Sequence, residues 1–525
     1  MKSASSRRSR NDSSDNDSRK VGEDTRGFAD WSNLFVHSRG TPEECCSRMK
    51  FKNDTQNEYA HTLEHARMQR VIQTAFSFPP NYAAVLMVGE KELSVMRLIA
   101  CVSINGIHVK TSAIHLRQAF PPVEECKWTV YLVLCEVVEN MRHLSIATPR
   151  HKNQIANIPF REPIAGRHEV VVCFGPLFLN DRWQLLVTAL EIYRHYGASL
   201  QVFYIQSMLT EIFSLLRIYE DQGYVKIEPW ARIDFGEDLS VGYDPNAELN
   251  WRNQESALCD CLLNYKEAAS FIIFADLDDV LVPHVASNYL DEFRALQRLN
   301  HGAAAFLYGR STTTLKATTH WSEFSLESTL GTAIIAKDLD DPKCVVDTSL
   351  VHTVFIHWPG ISEPGSWNYN VPYGQNFMIH LRHWHFVESL DSLISLQPPR
   401  FLTNTKRAEG DVIRMSQYID NEDARFISSN FTEFIRRHAA REFEALPSVS
   451  FYYGLVDECY NAVFYSKNKK PDRCPGPILC SVPELDGVKC TIAFESFTSS
   501  ELIYAIRLFT PTGNGFEQSW KGCKI

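Results

Sequence analysis

The spacing of apolar positions changes along the chain, and each change marks a different kind of structure. Residues 1–65 are rich in Ser, Asn, Asp and Arg, with too few apolar positions to bury, and predict a disordered polar arm. Residues 66–165 carry short β-branched and aromatic runs, Ala83 to Val88, Leu98 to Ile104 and Trp128 to Val138, broken by Pro121-Pro122 and Pro149. Such runs predict a small β-rich domain. Between residues 166 and 400 strand-like and helix-like patterns alternate. Glu169 to Phe174 is a short apolar run closed by Gly175-Pro176; Asn180-Asp181 can cap a helix on which Trp183, Leu186, Val187, Leu190 and Tyr193 recur at helical spacing. Leu200 to Ile205 predicts a strand, Leu209 to Gln222 a helix and Tyr224 to Ile227 a strand. Asn253 to Tyr265 then predicts a helix, Ser270 to Ala275 a strand, Val285 to Leu299 a helix and Ala303 to Tyr308 a strand. This rhythm implies an α/β fold with a mostly parallel sheet. Residues 401–525 predict a C-terminal extension, helical and charged from Phe401 to Leu446 and Cys-bearing beyond.

Composition and short motifs add further constraints. The 525 residues are 44% hydrophobic, enough for a sizeable core in two or three domains. A formal charge of −10 supplies no basic field for a nucleic-acid backbone, so a nucleic-acid partner is excluded as an expectation. An acidic protein that binds an anionic ligand also needs a local cation. The 14 Cys form no CxxC array of the kind that holds zinc. Cys259 and Cys261 read as helix packing, and Cys459, Cys474, Cys480, Cys490 and Cys523 suit disulfides in an oxidising compartment. No window approaches the roughly 20 apolar residues of a membrane span, and the basic start is not followed by an apolar leader segment. No transmembrane anchor or signal peptide is therefore visible. Asn-x-Ser/Thr triplets begin at Asn11, Asn16, Asn53 and Asn430.

The strongest chemical signal is Asp276-Leu277-Asp278-Asp279, placed directly after the Ser270 to Ala275 strand. Carboxylates crowded on one turn repel each other unless a positive charge sits among them, and hard oxygen ligands suit Mn²⁺ or Mg²⁺. The carboxyl end of a strand in an open parallel sheet is also where ligands bind. Such an ion stabilises charge on a departing diphosphate as a Lewis acid. A strand followed by Asp-x-Asp also opens haloacid-dehalogenase-type phosphatases, in which Asp276 would be the nucleophile and Asp278 the acid/base. That motif normally begins its domain, whereas here several strand-helix units precede it.

A wider set of blocks closely resembles glycosyltransferase family 92, a group with a GT-A-type fold. They are Cys173 to Trp183, Leu190 to Gly197, Phe203 to Ser207, Gly223-Tyr224-Val225 with Pro229-Trp230, and Asn253-Gln254 with Asp260-Cys261. Asp276 to Asp279 with Pro283, Lys343 to His352 and His380-Leu381-Arg382 complete the set, with Asp279 in place of a commoner Glu. The resemblance spans about residues 70 to 400, in order and spacing. It implies a GT-A-like nucleotide-sugar-binding domain at 166–400 and transfer of a hexose, with galactose from UDP-galactose as the case it points to. The acceptor would be a glycan hydroxyl, the cofactor Mn²⁺ or Mg²⁺, the stereochemistry inverting, and the setting the membranes of the secretory pathway (Golgi).

Carried over by residue, Asp276 is assigned to the ribose or the metal, Asp278 to the metal and Asp279 to their support. His352 and His380 are candidate metal ligands or phosphate donors, and Arg382 a partner for leaving phosphate. Asn180 and Arg182 are candidates to meet the nucleotide. So are Gln254 and Asp260, which lie six apart on a helix and so do not share a face. Glu323, Glu327, Asp338 and Asp347 are candidate proton acceptors. Trp358, Trp367, Tyr369, Tyr373 and Trp384 offer aromatic faces for sugar rings. A non-catalytic glycan-binding relative is the remaining alternative.

Overall fold

The computed structural model describes residues 68–91, 99–148, 155–236, 242–395, 412–464, 473–503 and 506–525. The arm expected at 1–65 lies outside the described residues, as do residues 401–411 of the expected C-terminal helical stretch.

The first strands are β1 (Met68–Phe78), β2 (Tyr82–Glu90), β3 (Ala100–Ile104), β4 (Val109–Ala113), β5 (His115–Gln118), β6 (Trp128–Glu136), β7 (His143–Ala147) and β8 (Ile155–Ile158). An alternating stretch follows: β9 (His168–Leu177), α1 (Trp183–His195), β10 (Leu200–Ile205), β11 (Ser207–Leu209), α2 (Thr210–Asp221) and β12 (Val225–Pro229). It continues with α3 (Gln254–Tyr265), β13 (Ala269–Ala275), β14 (Asp279–Leu281), α4 (Tyr289–Leu299) and β15 (Ala303–Thr318). Beyond it come α5 (Leu326–Gly331), β16 (Ile334–Ala336), β17 (Asp340–Asp347), β18 (Trp367–Val371), β19 (Met378–Val387), α6 (Leu390–Ser395) and β20 (Val412–Arg414). The last elements are α7 (Asn421–Phe434), α8 (Ala440–Glu444), α9 (Tyr453–Val463), β21 (Cys490–Ile503) and β22 (Ile506–Ser519).

The central sheet is mixed α/β in character. Strands β12, β10, β9 and β13 lie side by side and parallel, as the βαβ rhythm requires. The expectation of a mostly parallel sheet holds only in part: β15 also pairs parallel with β18 and β19, but the rest is antiparallel. Strand β17 inserts antiparallel between β13 and β15, and β14, β16 and β20 also pair antiparallel. Most of these antiparallel partners lie far apart in the chain, β13 and β17 by more than sixty residues, so no local alternation of strand and helix specifies their direction.

Alternate residues of the central strands serve two cores. Val170, Val172, Phe203, Ile205, Phe271 and Ile273 pack with α1, α2 and α4 on one face. Val171, Cys173, Val202, Tyr204, Ile272 and Phe274 pack on the other face with Leu258 and Leu262 of α3 and with Val71, Leu86 and Val130 of a seven-stranded sheet. That sheet runs β11-β21-β22-β1-β2-β6-β5, so it takes strands from both ends of the chain. β1 lies parallel to β22. A third core joins it to the four-stranded sheet β4-β3-β7-β8 through Met87, Tyr131, Val133, Leu144 and Ile146.

Several local expectations shift for identifiable reasons. The helix expected from Val285 begins at Tyr289, because the Asn288 side chain accepts from the Asp291 N–H and caps it there. Asp181 does not cap α1. Its carboxylate instead accepts from the Ser450 hydroxyl at 2.8 Å and the Tyr452 N–H at 2.6 Å, closing the start of α9. Cys261 is bonded to Cys173 rather than merely packed, while Cys259 stays a buried free thiol. The late cysteines do pair: Cys459 with Cys480, Cys490 with Cys523, and Cys474 with Cys126 far upstream. Cys101 and Cys135 make the remaining bridge among the described residues. No helix of the described residues is long and apolar enough to cross a membrane.

One half-buried carboxyl is expected to make the fold sensitive to pH. Burial, reinforced by Asp260, pushes Glu495 on β21 up to about 8. The folded state therefore holds a proton that the unfolded chain releases at its ordinary value of 4.5. The associated stability is fully present below pH 4.5 and is lost as pH rises to about 8. Glu495→Gln is expected to raise Tm at pH 9 by on the order of a few degrees and to change it little at pH 4, as thermal scans across this range will show.

Candidate active site

The acidic turn is placed by a strand that is buried on both faces. Residues of β13 are buried from Phe271 to Ala275, with β9 parallel on one side and β17 antiparallel on the other. At Asp276 the chain must leave the sheet. The Asp279 N–H donates to the Asp276 carbonyl at 3.0 Å, making a tight turn, and the chain re-enters as β14. There Asp279 stands opposite His380 of β19, and the Leu381 N–H donates to the Asp278 carbonyl at 2.6 Å. Register alone thus brings together residues a hundred positions apart.

Each carboxylate of the turn has a distinct setting. Asp276 Oδ1 accepts from Gln254 Nε2 at 2.7 Å and Oδ2 from Lys343 Nζ at 2.7 Å. Lys343 is 1% exposed and also lies 3.8 Å from Asp279 Oδ2, which Arg310 approaches at 3.6 Å. Asp278 Oδ2 lies 3.2 Å from His380 Nε2. Burial alone would raise Asp276 and Asp278, but Lys343 holds Asp276 well below the usual carboxylate range and His380 holds Asp278 down. Asp279 is fully buried, and burial outweighs Arg310, His380 and Lys343 to push it up. Burial would lower His380, yet Asp278 and Asp279 raise it.

These groups fit a divalent cation. Asp278, Asp279 and His380 each offer an atom within 4.8 Å of the others. Asp279 Oδ1 and His380 Nδ1 are buried with no hydrogen-bond partner. Buried polar atoms without partners are costly, and two carboxylates with an imidazole can ligate a divalent ion. Asp276 stands apart, because both its oxygens already have protein donors.

The approach of Gln254 depends on two backbone features. A Cβ on Gly175 would lie 2.5 Å from Gln254 Nε2, so only glycine lets this side chain reach Asp276. Trp251, Arg252 and Asn253, which precede α3, all have positive φ, at 41°, 63° and 62°. Consecutive left-handed residues other than glycine store strain, and that strain must be held by surrounding contacts. The Trp251 N–H donates to the Pro475 carbonyl at 2.8 Å and Asn253 Nδ2 to Gln73 Oε1 at 2.6 Å. Arg252 Nη2 donates to the Pro176 carbonyl at 3.1 Å, with its guanidinium 3.8 Å from the Phe178 ring.

The other expected residues fall into two groups. Arg382, on β19 between His380 and His383, and Arg182 both lie in the electrostatic surroundings of Tyr453, which also feels Asp278. Arg182 is buried with its guanidinium over the Tyr453 ring, and its Nε and Nη1 lack hydrogen-bond partners. Asn180 follows β9, with its backbone bonded to Ser207 and Leu209 and its Oδ1 buried without a partner. Asp260 and His352 are elsewhere. Asp260 accepts from Arg161 and Tyr204 at 2.6 Å, and His352 pairs with Glu363 at 2.9 Å. Asp347, paired with Gln297 at 2.6 Å, faces Phe271 at the start of β13, the end remote from Asp276. Sequence reasoning passed over Lys343 and Arg310. Lys343 directly precedes the apolar run Cys344-Val345-Val346 of a buried strand, and a lysine at such a position is a signal that a buried anion faces it.

Comparison with known proteins gives this geometry its context. The family model for glycosyltransferase family 92 matches residues 168–423. A Caenorhabditis elegans protein of that family is 33% identical over 462 residues, covering 86% of each chain. A second is 29% identical over 383 residues, covering 70% of this chain and 71% of the relative. The chain belongs to glycosyltransferase family 92, and it is a transferase enzyme. Membership decides between transferase and phosphatase for the acidic turn in favour of the former. Among solved structures, residues 1–349 of S. aureus TarS align at 14% identity over 34% of this chain and 47% of that one, with a TM-score of 0.19, too low to bear on the fold.

Two substitutions test the arrangement. Gly175→Ala is expected to displace Gln254 from Asp276 and to lower activity at least about tenfold, in the range for groups that orient a site, with little change in Tm. Lys343→Ala leaves the buried Asp279 and the neighbouring Asp276 short of a counter-charge. Breaking such a pair costs about 3 kcal/mol or more, to be read from denaturant unfolding.

Proposed function

We propose that the protein transfers a hexose, galactose from UDP-galactose being the leading case, to a glycan hydroxyl in a single displacement that inverts the anomeric carbon. The observation that carries this reading is the acidic turn at the carboxyl end of β13, with His380 brought against it by β19. Family membership supports a nucleotide-sugar donor. Asp278, Asp279 and His380 would hold Mn²⁺ or Mg²⁺, which when bound supplies Lewis-acid stabilisation of the departing diphosphate. Asp276, fixed by Gln254 and Lys343, presents its carboxylate at the edge of the same turn and suits the donor ribose. Lys343 and Arg310 hold the turn in shape, so that the carboxylates do not splay when the donor leaves. Arg382 and Arg182, which both influence Tyr453 near Asp278, would offer positive charge to the phosphates.

The secretory pathway is the proposed setting, and five disulfides among the described residues support an oxidising compartment.

UDP release is the direct test. With UDP-galactose, a glycan acceptor mixture and Mn²⁺, release is expected for the wild type, to be abolished by chelator, and to fall about 100-fold in Asp278→Asn. Release that is indifferent to chelator would remove the metal assignment. Turnover of another UDP-sugar in preference to UDP-galactose would move the donor assignment.

A further inference from the structure

The segment between β17 and β18 presents groups that the donor chemistry does not use. Val354 and Pro359 form a bridge, and the Phe355 N–H donates to the Trp358 carbonyl at 2.8 Å, so His357 sits at the tip of a tight turn that Trp358 closes. Phe355 supports the indole at 5.4 Å between ring centroids and itself packs on Phe120 at 5.1 Å. Trp358 nevertheless remains 39% exposed. A rigidly backed, half-open aromatic face is what stacking on a sugar ring requires.

The turn is tied to the acidic site through Lys343. The ammonium that binds Asp276 at 2.7 Å also lies 3.4 Å from the Ile356 carbonyl. His357 Nδ1 lies 2.9 Å from the carbonyl of Pro342, the residue before Lys343. A carbonyl only accepts, so Nδ1 carries the proton and Nε2 keeps its lone pair. No hydrogen bond to Nε2 is present among the described residues. Burial first, then Lys343 of β17 and Arg310 of β15, push the ring down to about 4 against the pull of the Pro342 carbonyl and Asp276, so it is neutral at physiological pH.

We propose that this turn is the acceptor side of the active site, where Trp358 stacks on the acceptor sugar and His357 Nε2 takes the proton of the attacking hydroxyl. The proposal rests on the glycosyltransfer reading above. In the step, the acceptor O–H proton passes to Nε2 and the oxygen bonds to the anomeric carbon of the UDP-sugar. The bond from that carbon to the diphosphate breaks, and its electron pair leaves with UDP. The imidazolium then returns its proton to solvent. Asp340 is the competing base; its carboxylate is 4.0 Å from His380 Nδ1 and so faces the cation-holding residues instead.

The experiment compares wild type, His357→Gln, Trp358→Ala and Asp340→Asn as full-length proteins, measuring transfer kinetics, UDP affinity and Tm. His357→Gln is expected to lower kcat for transfer by about 100-fold or more with UDP affinity and Tm unchanged. Trp358→Ala is expected to raise the acceptor KM by about three- to tenfold. Normal transfer by His357→Gln, loss confined to Asp340→Asn, or a parallel fall in UDP affinity would overturn the proposal while leaving the glycosyltransfer reading intact. Wild-type protein that releases no UDP from any UDP-sugar with Mn²⁺ and acceptors present would overturn both.

Discussion

A lysine ammonium held among carboxylates in the protein interior is the interaction on which the site depends. Lys343, 1% exposed, meets the half-buried Asp276 at 2.7 Å and the fully buried Asp279 at 3.8 Å, and water cannot screen the second contact. Without it, an acidic turn at the end of a buried strand would repel itself apart, or its carboxyl groups would take up protons. The ammonium is in turn fixed by the sheet, since β17 lies between β13 and β15. The antiparallel insertion that departs from a simple alternating fold is thus the element that delivers the counter-charge.

Strain supplies the second constraint. Gln254 can reach Asp276 only because Gly175 leaves room for it and because the chain before α3 runs through three left-handed residues. Contacts to the C-terminal segment hold that conformation: Pro475 accepts from the Trp251 N–H, and Tyr460 and Phe464 flank the Trp251 ring at 5.5 and 5.3 Å. Disulfides Cys126–Cys474 and Cys459–Cys480 fasten the same segment. The C-terminal extension therefore acts on the site from outside the matched family region, by fixing the turn that aims Gln254.

Local order was legible in the sequence and long-range pairing was not. Helices α1, α2 and α3 and strands β9, β10 and β13 lie within a few residues of their expected positions, because apolar spacing and flanking Gly or Pro are local signals. The turn at Asp276 was legible for the same reason. Its partners were not legible locally: His380, named only through the family resemblance, arrives by the register of β19 on β14, and Lys343, passed over, by the register of β17 on β13. Asp260 shows the converse error. It shares α3 with Gln254, yet Arg161 and Tyr204 engage it on another face of the helix.

The charge balance of the site follows from these placements. Asp276 and Asp279 face two permanent cations, Lys343 and Arg310, within 4 Å, and Asp278 faces His380 at 3.2 Å. The site is thus close to neutral before any ligand arrives, despite the overall charge of −10. On the proposed function, a divalent ion bound alone would leave positive charge in excess, and a sugar diphosphate bound alone would leave negative charge in excess. Each relieves the cost of the other, so the donor and its ion should enter as a pair. The overall acidity of the chain is then no obstacle to an anionic substrate, because the charge that matters is set within the few ångströms around Asp276.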